Sequence, residues 1–185
     1  RLNATGISKI YVAVHYLSEK IEKFLVERPE FDSVSVLYEE IPLGTAGAIG
    51  MLPDMRERDL VVTNSDIITD MDYGLLVEFH RQNGFDVTIA VADHRIQIPF
   101  GVVRHDINGD FLFVDEKPIL SNYVAAGVYC LKSHVGNMLK TVEKLDMPEL
   151  ILRCKKDGMR IGIFPMHEEW RDFGRPEDFE SLKSR

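Results

Sequence analysis

Two aspartates lie where a carboxylate could hold a metal ion beside a phosphate. Asp66 follows the apolar segment 60–63, which is predicted to be a buried strand. In open α/β sheets ligands bind beyond the carboxyl ends of the strands, so an acid at this place can reach a phosphate and its metal. Asp172 precedes a predicted last helix, and two carboxylates often share one divalent ion at a phosphate. The alternatives are an Asx turn or a helix cap at Asp66 and a helix cap at Asp172.

A charged strand end at 115–118 is a second candidate for chemistry. Lys117 is a compact point charge that suits a phosphate, and the carboxylate of Glu116 can accept hydrogen bonds from two neighbouring sugar hydroxyls. Pro118 stops the strand, so an end that is merely exposed would explain the same residues.

Small residues fill the segment Leu43-Gly44-Thr45-Ala46-Gly47-Ala48. Such side chains let a ligand approach the backbone, and the amides at the start of the predicted helix can donate to its polar edge. Close packing of a helix against a sheet would require small residues as well. The segment is neither GxGxxG nor a Walker loop, so neither of those mechanisms applies.

Other chemistries find little support in the sequence. The six histidines lack zinc-ligand spacing, and no GxSxG nucleophile elbow occurs. One DxD sequence, Asp70-Met71-Asp72, is predicted to begin a helix rather than to end a strand.

Strands and helices alternate in the first half of the sequence. Strands are predicted at 9–15, 34–38, 60–63 and 86–92, with helices at about 19–27, 45–52 and 73–83. This alternation predicts an α/β fold, with an open mixed, mostly parallel sheet that carries helices on both faces.

The second half follows another pattern, without a linker, so one domain is expected over residues 1–185. Asn108-Gly109 indicates a hairpin between strands at 102–105 and 111–114. Further strands are predicted at 124–131 and 161–164, and helices at 133–139, 148–156 and 176–184.

Composition limits the partners and the compartment. The net charge is −8, and the longest basic stretch is Lys155-Lys156, so nucleic acid is not an expected partner. Cys130 and Cys154 form no CxxC pair and are expected to be thiols in a reducing compartment. No apolar segment approaches the roughly 20 residues of a membrane span, and no signal peptide opens the chain. A cytoplasmic protein without a membrane partner is therefore expected.

Six ordered segments together resemble the sugar-1-phosphate nucleotidyltransferase family. The residues near 146–148 and 174–178 look most like its mannose-1-phosphate guanylyltransferase branch, which includes forms fused to regulatory domains. The six segments are Glu40-Ile-Pro-Leu-Gly-Thr-Ala-Gly-Ala, Asn64-Ser-Asp, Pro99-Phe-Gly-Val-Val, Glu116-Lys-Pro, Ala126-Gly-Val-Tyr and Trp170-Arg-Asp-Phe-Gly-Arg-Pro-Glu-Asp.

The resemblance implies a nucleotide-diphospho-sugar transferase fold, which is Rossmann-like, and a reaction. A sugar 1-phosphate attacks the α-phosphate of an NTP, with GTP expected, and pyrophosphate leaves. Asp66 and Asp172 would hold Mg²⁺, and with Lys117, placed on the sugar phosphate, they form the expected catalytic set. The other expected substrate-binding residues are Leu43, Gly44 and Thr45 at the base, Gly101 and Glu116 at the sugar, and Asn64 and Gly127.

Two departures from the family's pattern affect these expectations. The family's opening strand and Gly-rich phosphate loop are missing, so this fragment is expected to be inactive or impaired and to associate through its sheet, for example as a homo-oligomer. Ala125 stands where many members carry an Asn that reaches the sugar, so the identity of the sugar is left open.

Two alternatives to this function remain. One is a noncatalytic descendant of the fold that is regulatory or binds a nucleotide-sugar, and the other is a glycosyltransferase.

Overall fold

The computed structural model of the chain describes residues 7, 9–53, 58–139 and 142–174, and its largest sheet has four strands. Their order is β3 (Leu60–Thr63), β8 (Ile119–Leu131), β5 (Val87–Gln97) and β9 (Ile161–Met166). Strand β8 is antiparallel to both of its neighbours, whereas β5 and β9 are parallel.

Helices cover both faces of this sheet. One face packs against α2 (Gly44–Gly47), α4 (Ser133–Met138) and α5 (Met147–Lys156), and the other against α3 (Tyr73–Asn83). Alternate residues of β8 enter opposite cores, because side chains of a strand alternate between faces: Tyr129 and Leu131 pack on the first side, and Val128 and Cys130 on the second. The expected α/β class is confirmed.

Three two-stranded ladders complete the described fold. β1 (Ile10–Val14) and β2 (Val34–Tyr38) are parallel and are joined through α1 (Ser18–Val26). β4 (Ile67–Thr69) pairs antiparallel with β10 (Trp170–Asp172), and β6 (Gly101–His105) with β7 (Phe111–Glu116). Among the described pairs the parallel ones are β1–β2 and β5–β9, and the other four are antiparallel. The sheet system is mixed as expected, but the expectation of a mostly parallel sheet is wrong, because β8 runs antiparallel between β3 and β5 and two of the three short ladders are antiparallel as well.

Hairpin β6–β7 exposes apolar side chains on both of its faces. Phe111, Leu112, Phe113 and Val114 follow one another along β7, and their exposed fractions are 65%, 57%, 55% and 49%. Because successive side chains point to opposite faces, neither face of this ribbon is buried by the described residues.

Some elements differ in extent from the sequence-based expectation. The helix expected at 45–52 is one α-helical turn, α2, followed by a 3-10 turn at Ala48–Met51. Strands β5 and β8 extend beyond their predicted apolar cores, because residues 93–97 and 119–123, which mix polar and apolar side chains, pair with each other. The helix expected at 176–184 lies outside the described residues.

The DxD sequence forms a helix cap, as expected. Asp72 is the N-cap of α3, and its Oδ1 accepts hydrogen bonds from the amides of Gly74 at 2.7 Å and Leu75 at 3.4 Å. Gly84 ends the helix with a φ of 64°. None of the described helices is long and apolar enough to cross a membrane.

Both cysteines are buried and free of disulfide bonds. Burial raises the pKa of the Cys130 thiol to about 12 and raises the pKa of Cys154 as well, so both side chains are uncharged thiols that pack as apolar groups.

His80 is a fully buried histidine between α3 and β5. Its Nδ1 lies 2.8 Å from Thr88 Oγ1, and its Nε2 has no hydrogen-bond partner within the described residues. Burial is the main reason why its pKa is lowered, and nearby Asp59 opposes the shift. The neutral imidazole therefore fills a packing position.

Acid should destabilise the fold through His80. Below its unfolded-state pKa of about 6.5 the unfolded chain binds a proton that the folded chain excludes. Stability is therefore fully present above that pH and is lost as the pH falls toward the lower folded-state pKa, by up to about 1.4 kcal/mol per pH unit. Urea unfolding of the wild type and of His80→Gln at several pH values measures this, because subtraction removes the other five histidines. Equal pH slopes in both proteins would contradict it.

Candidate active site

A β-bulge interrupts strand β8 at the end of the sheet where the predicted site lies. Ile89 pairs with Tyr129 but Val91 pairs with Ala125, so residues 126–128 of β8 oppose Ala90 alone. Gly127 has a φ of 71°, a left-handed conformation that glycine adopts without the steric cost of a Cβ. A bulge of this kind breaks the ladder locally and redirects backbone groups.

Two consecutive carbonyl groups of the bulge accept hydrogen bonds from two distant segments. The amide of Asn64 donates to the Gly127 carbonyl at 2.9 Å. The indole Nε1 of Trp170 donates to the Ala126 carbonyl, also at 2.9 Å. Asn64 lies two residues before Asp66, and Trp170 two residues before Asp172, so the bulge anchors both segments that carry the acids.

The carboxylates of Asp66 and Asp172 lie close together. Asp172 pairs with Ile67 in the β4–β10 ladder, and the amide of Phe173 donates to the Asp66 carbonyl at 2.8 Å. A Cβ built on Gly174 would lie 3.0 Å from Asp172 Oδ1 and 3.5 Å from Asp66 Oδ2. Both distances are measured from the same Cβ position, so Asp172 Oδ1 and Asp66 Oδ2 are at most about 6.5 Å apart. The expected convergence of the two acids is observed.

The donor set of this pair fits Mg²⁺. Asp66 Oδ1 is buried and has no hydrogen-bond partner among the described residues, which is unusual for a carboxylate oxygen. Asp172 Oδ1 accepts from the Gly174 amide at 2.7 Å. Within the described ranges no group of three or more His, Cys, Asp or Glu residues could hold a metal. Mg²⁺ commonly binds through one or two carboxylates together with water and substrate phosphates, so two acids suffice. Their role as ligands remains a prediction.

Asn64 and Gly127 are in contact at the bulge. A Cβ built on Gly127 would lie 3.0 Å from Nδ2 of Asn64 and 3.1 Å from a side-chain carbon of Ile67. The space above Gly127 is therefore occupied by the segment that leads into β4, and any larger residue here would displace it.

Gly101, Glu116 and Lys117 form a second group at the base of hairpin β6–β7. Gly101 pairs with Glu116, and a Cβ on Gly101 would lie 2.9 Å from Glu116 Oε2. The absent side chain thus leaves room for this carboxylate. Lys117 has a φ of 49°, which is strained for a residue with a Cβ. Its side chain is exposed, and no carboxylate of the described residues pairs with its ammonium group.

A third group is formed by Leu43, Gly44 and Thr45. The expectation that the backbone amides of this segment are free to bind a ligand is wrong. The amides of Thr45, Ala46 and Gly47 already donate within the chain, Thr45 to the Asp146 carboxylate at 3.1 Å and the other two to the Leu145 carbonyl. They are not the free ligand donors that the sequence led us to expect.

Close packing explains the small residues of this segment. A Cβ on Gly44 would lie 2.5 Å from Asp146 Oδ1, so the chain at 145–146 needs a glycine there. The Thr45 hydroxyl accepts from the Met147 amide at 2.7 Å and thereby caps the start of α5. Leu43 is buried, whereas Gly44 and Thr45 are exposed at the surface.

Two features of the site were not identified from the sequence. The bulge has a signal, since an isolated glycine in an apolar strand pattern often marks one. The indole bond of Trp170 has none, because its acceptor is a backbone carbonyl 44 positions away in the chain.

Comparison with known proteins identifies the family to which this chain belongs. The family model described as Nucleotidyl transferase matches residues 1–185. The mannose-1-phosphate guanyltransferase of Candida albicans is 31% identical over 194 residues, which cover 97% of this chain and 52% of that protein. The catalytic subunit beta of mannose-1-phosphate guanylyltransferase from Drosophila melanogaster is also 31% identical, over 94% of this chain and 49% of its own length. The chain thus spans about half the length of these relatives.

Solved structures share the fold at lower sequence identity. HddC from Yersinia pseudotuberculosis complexed with GMP-PN has a TM-score of 0.69 at 19% identity, and the match covers 100% of this chain and 82% of that one. A putative glucose-1-phosphate thymidylyltransferase from Bacillus anthracis has a TM-score of 0.71 at 19% identity, with 99% and 78% covered. Since the family model spans all 185 residues, the chain belongs to the nucleotidyl transferase family.

Proposed function

We propose that residues 1–185 are the nucleotidyltransferase domain of an enzyme that transfers a guanylyl group from GTP to a sugar 1-phosphate. The products are a nucleotide-sugar and pyrophosphate. The observation that carries this proposal is the pair Asp66 and Asp172, whose carboxylates converge and leave one buried oxygen without a partner. The two guanylyltransferase relatives support guanine as the base and mannose 1-phosphate as the first sugar to test.

In the proposed reaction a phosphate oxygen of the sugar 1-phosphate attacks the α-phosphorus of GTP. The new P–O bond forms as the bond to the leaving pyrophosphate breaks. Such displacements require little covalent work from a protein, so positioning and charge stabilisation carry the catalysis. The chain's contribution is to hold two negatively charged reactants in line.

Asp66 and Asp172 would hold Mg²⁺ in this scheme, and the ion supplies positive charge to the reacting phosphates. Without a counter-charge, two carboxylates this close would repel both each other and the triphosphate. The buried Oδ1 of Asp66 is the oxygen that most needs such a partner.

The hairpin base would bind the sugar phosphate. The exposed ammonium of Lys117, unpaired within the described residues, can neutralise the attacking phosphate. Glu116 can accept hydrogen bonds from two adjacent hydroxyls, and Gly101 leaves the space that its carboxylate uses. Ala125 offers no amide to the sugar, so we assign hydroxyl recognition to Glu116 at the hairpin base and to Asn64 and Gly127 at the bulge.

The base would lie against Leu43, Gly44 and Thr45. Gly44 and Thr45 are exposed while Leu43 supports them from the core, so the contact is with this surface rather than with the occupied amides.

We further propose a cytoplasmic enzyme, consistent with two free thiols, that assembles as a homo-oligomer and whose full chain carries fused regulatory domains. The exposed apolar hairpin supports self-association.

A pyrophosphate-release screen of the full-length protein, with four NTPs and several sugar 1-phosphates, tests the function. We expect the highest rate with GTP and mannose 1-phosphate. Nucleotide-sugar binding without turnover for any pair would instead support the noncatalytic descendant. Release of nucleoside diphosphate from a nucleotide-sugar would support a glycosyltransferase.

Removing either acid should abolish most of the activity. In the full-length protein we expect Asp66→Asn and Asp172→Asn each to lower kcat by about 100-fold or more, because the charge stabilisation of the reacting phosphates is lost. Asp157→Asn at the end of α5 is the control, since it removes the same charge from an exposed residue outside the site. Steady-state kinetics against Mg²⁺ concentration measure the effect. Equal, small losses in all three variants would refute the metal assignment.

Replacing Lys117 should make the protein more stable but weaken its binding of the sugar 1-phosphate. Lys117→Gly removes the left-handed strain and is expected to raise the free energy of unfolding by about 1 kcal/mol. It also removes a charge-assisted contact worth about 1.5–3 kcal/mol, so the KM for the sugar 1-phosphate should rise about tenfold or more while that for GTP changes less. Urea unfolding and steady-state kinetics measure the two effects.

Leu17→Gly is the matched control for Lys117. Leu17 is the other described non-glycine residue with a positive φ, 60°, and it precedes α1. Its replacement should also stabilise the fold but leave both KM values unchanged. Lys117 would be structural, or would serve the nucleotide, if the KM values for both substrates rose equally in Lys117→Gly.

A further inference from the structure

We propose that Trp170 is a positioning residue of the metal site, because its indole bond to the Ala126 carbonyl holds Asp172 beside Asp66. This inference rests on the proposed function, since it concerns the two acids that would hold Mg²⁺. It adds a residue that contacts neither substrate nor metal but fixes where one ligand stands.

The short ladder beside the acids, with Asp172 in β10 and Asp66 directly before β4, cannot fix them alone. β4 and β10 have three residues each and form a two-stranded ladder separate from the four-stranded sheet. A two-stranded ribbon is marginally stable in water by itself, and shorter ones are weaker still. Asp66 is tied to the four-stranded sheet by β3 three residues earlier, so it is the position of Asp172 that depends most on what attaches this ladder to β8.

The bulge of β8 provides that attachment through two adjacent carbonyl groups. Gly127 holds the Asn64 amide and Ala126 holds the Trp170 indole, each at 2.9 Å. Since the two carbonyls belong to consecutive residues, a single short piece of backbone sets the separation of the two segments. Asp66 and Asp172 each follow their anchor by two residues.

The two-residue spacing within β10 links the position of the Trp170 indole to that of the Asp172 carboxylate. Side chains two residues apart in a strand point to the same face, so Trp170 and Asp172 leave β10 on one side. Trp170 is partly buried and packs against the core of Met71, Leu76, Val128 and neighbouring residues. Rotation or sliding of β10 would break the indole bond and displace the Asp172 carboxylate together.

The choice of acceptor distinguishes this role from ordinary packing. A partly buried indole favours some acceptor, and this acceptor is the carbonyl of a residue that has no register partner in β5 because of the bulge. Ala126 is fully buried, so without the indole its carbonyl would lose its partner away from water. The hydrogen bond thus couples the strand defect at Gly127 to the geometry of the acids.

Mn²⁺ binding to the 185-residue chain, followed by electron paramagnetic resonance, tests the proposal without relying on activity. Trp170→Phe keeps an aromatic ring but lacks the N–H group. We expect it to weaken Mn²⁺ binding about three- to tenfold, less than the roughly 10–100-fold typical of residues bonded directly to a ligand. Phe164→Leu is the matched control, because it perturbs the same core without touching the indole bond. It should lower stability and leave Mn²⁺ affinity within about twofold of the wild type.

The outcomes separate this inference from the proposed function. If Asp66→Asn and Asp172→Asn leave Mn²⁺ binding unchanged, the metal site itself is refuted. If they abolish binding while folded Trp170→Phe binds as the wild type does, or only as Phe164→Leu does, then Trp170 is not a positioning residue.

A second measurement covers the case in which Trp170→Phe does not fold. Trp170 is the single tryptophan of the chain, so its indole N–H gives one assignable NMR signal. In the wild type this signal should be protected from solvent exchange and broadened by substoichiometric Mn²⁺. An indole signal that exchanges freely, or that Mn²⁺ does not affect, would overturn the proposal.

Discussion

Strand β8 has to hydrogen-bond to neighbours on both sides and still turn the Ala126 carbonyl away from the β5–β8 ladder, and the candidate site depends on how it does so. The left-handed Gly127 makes this possible by letting residues 126–128 bulge away from β5. The Ala126 carbonyl then accepts from the Trp170 indole, while the Gly127 carbonyl accepts from the Asn64 amide in continuation of the β3–β8 ladder. Without the bulge the Ala126 carbonyl would be used inside the β5–β8 ladder, and the Trp170 segment would lose its anchor beside the Asn64 segment.

Local sequence patterns were sufficient to locate most of the regular structure. The strands Val34–Tyr38 and Leu60–Thr63 and the helix Tyr73–Asn83 begin and end where β-branched runs and capping residues predicted. The strands β4 and β10 were not predicted, because three residues carry too little periodicity. The helix at 45–52 was predicted too long, since tertiary packing on residues 145–147 outweighed its local helix-forming pattern.

The site was predictable to a different extent for each group. The convergence of Asp66 and Asp172 followed from motif order, and the pairing of β10 with β4 brings them together. The amide of Thr45 was expected to be free for a ligand, but it donates to Asp146. A sequence cannot show that a carboxylate so remote along the chain accepts this hydrogen bond. The strained φ of Lys117 was likewise invisible, since lysine has no preference for that conformation and the hairpin geometry imposes it.

The exposed hairpin β6–β7 affects the thermodynamics of binding as well as the shape of the site. Because the described residues bury little of its apolar area, its two strands are expected to open locally at a small fraction of the global unfolding free energy wherever no second chain covers them. A sugar phosphate bound by Glu116 and Lys117, as we propose, would have to immobilise this ribbon, and the conformational entropy lost would oppose the contact energy. Under the proposed function, the hairpin keeps substrate binding selective through its contacts but weak in total, which favours rapid release of the nucleotide-sugar after each turnover.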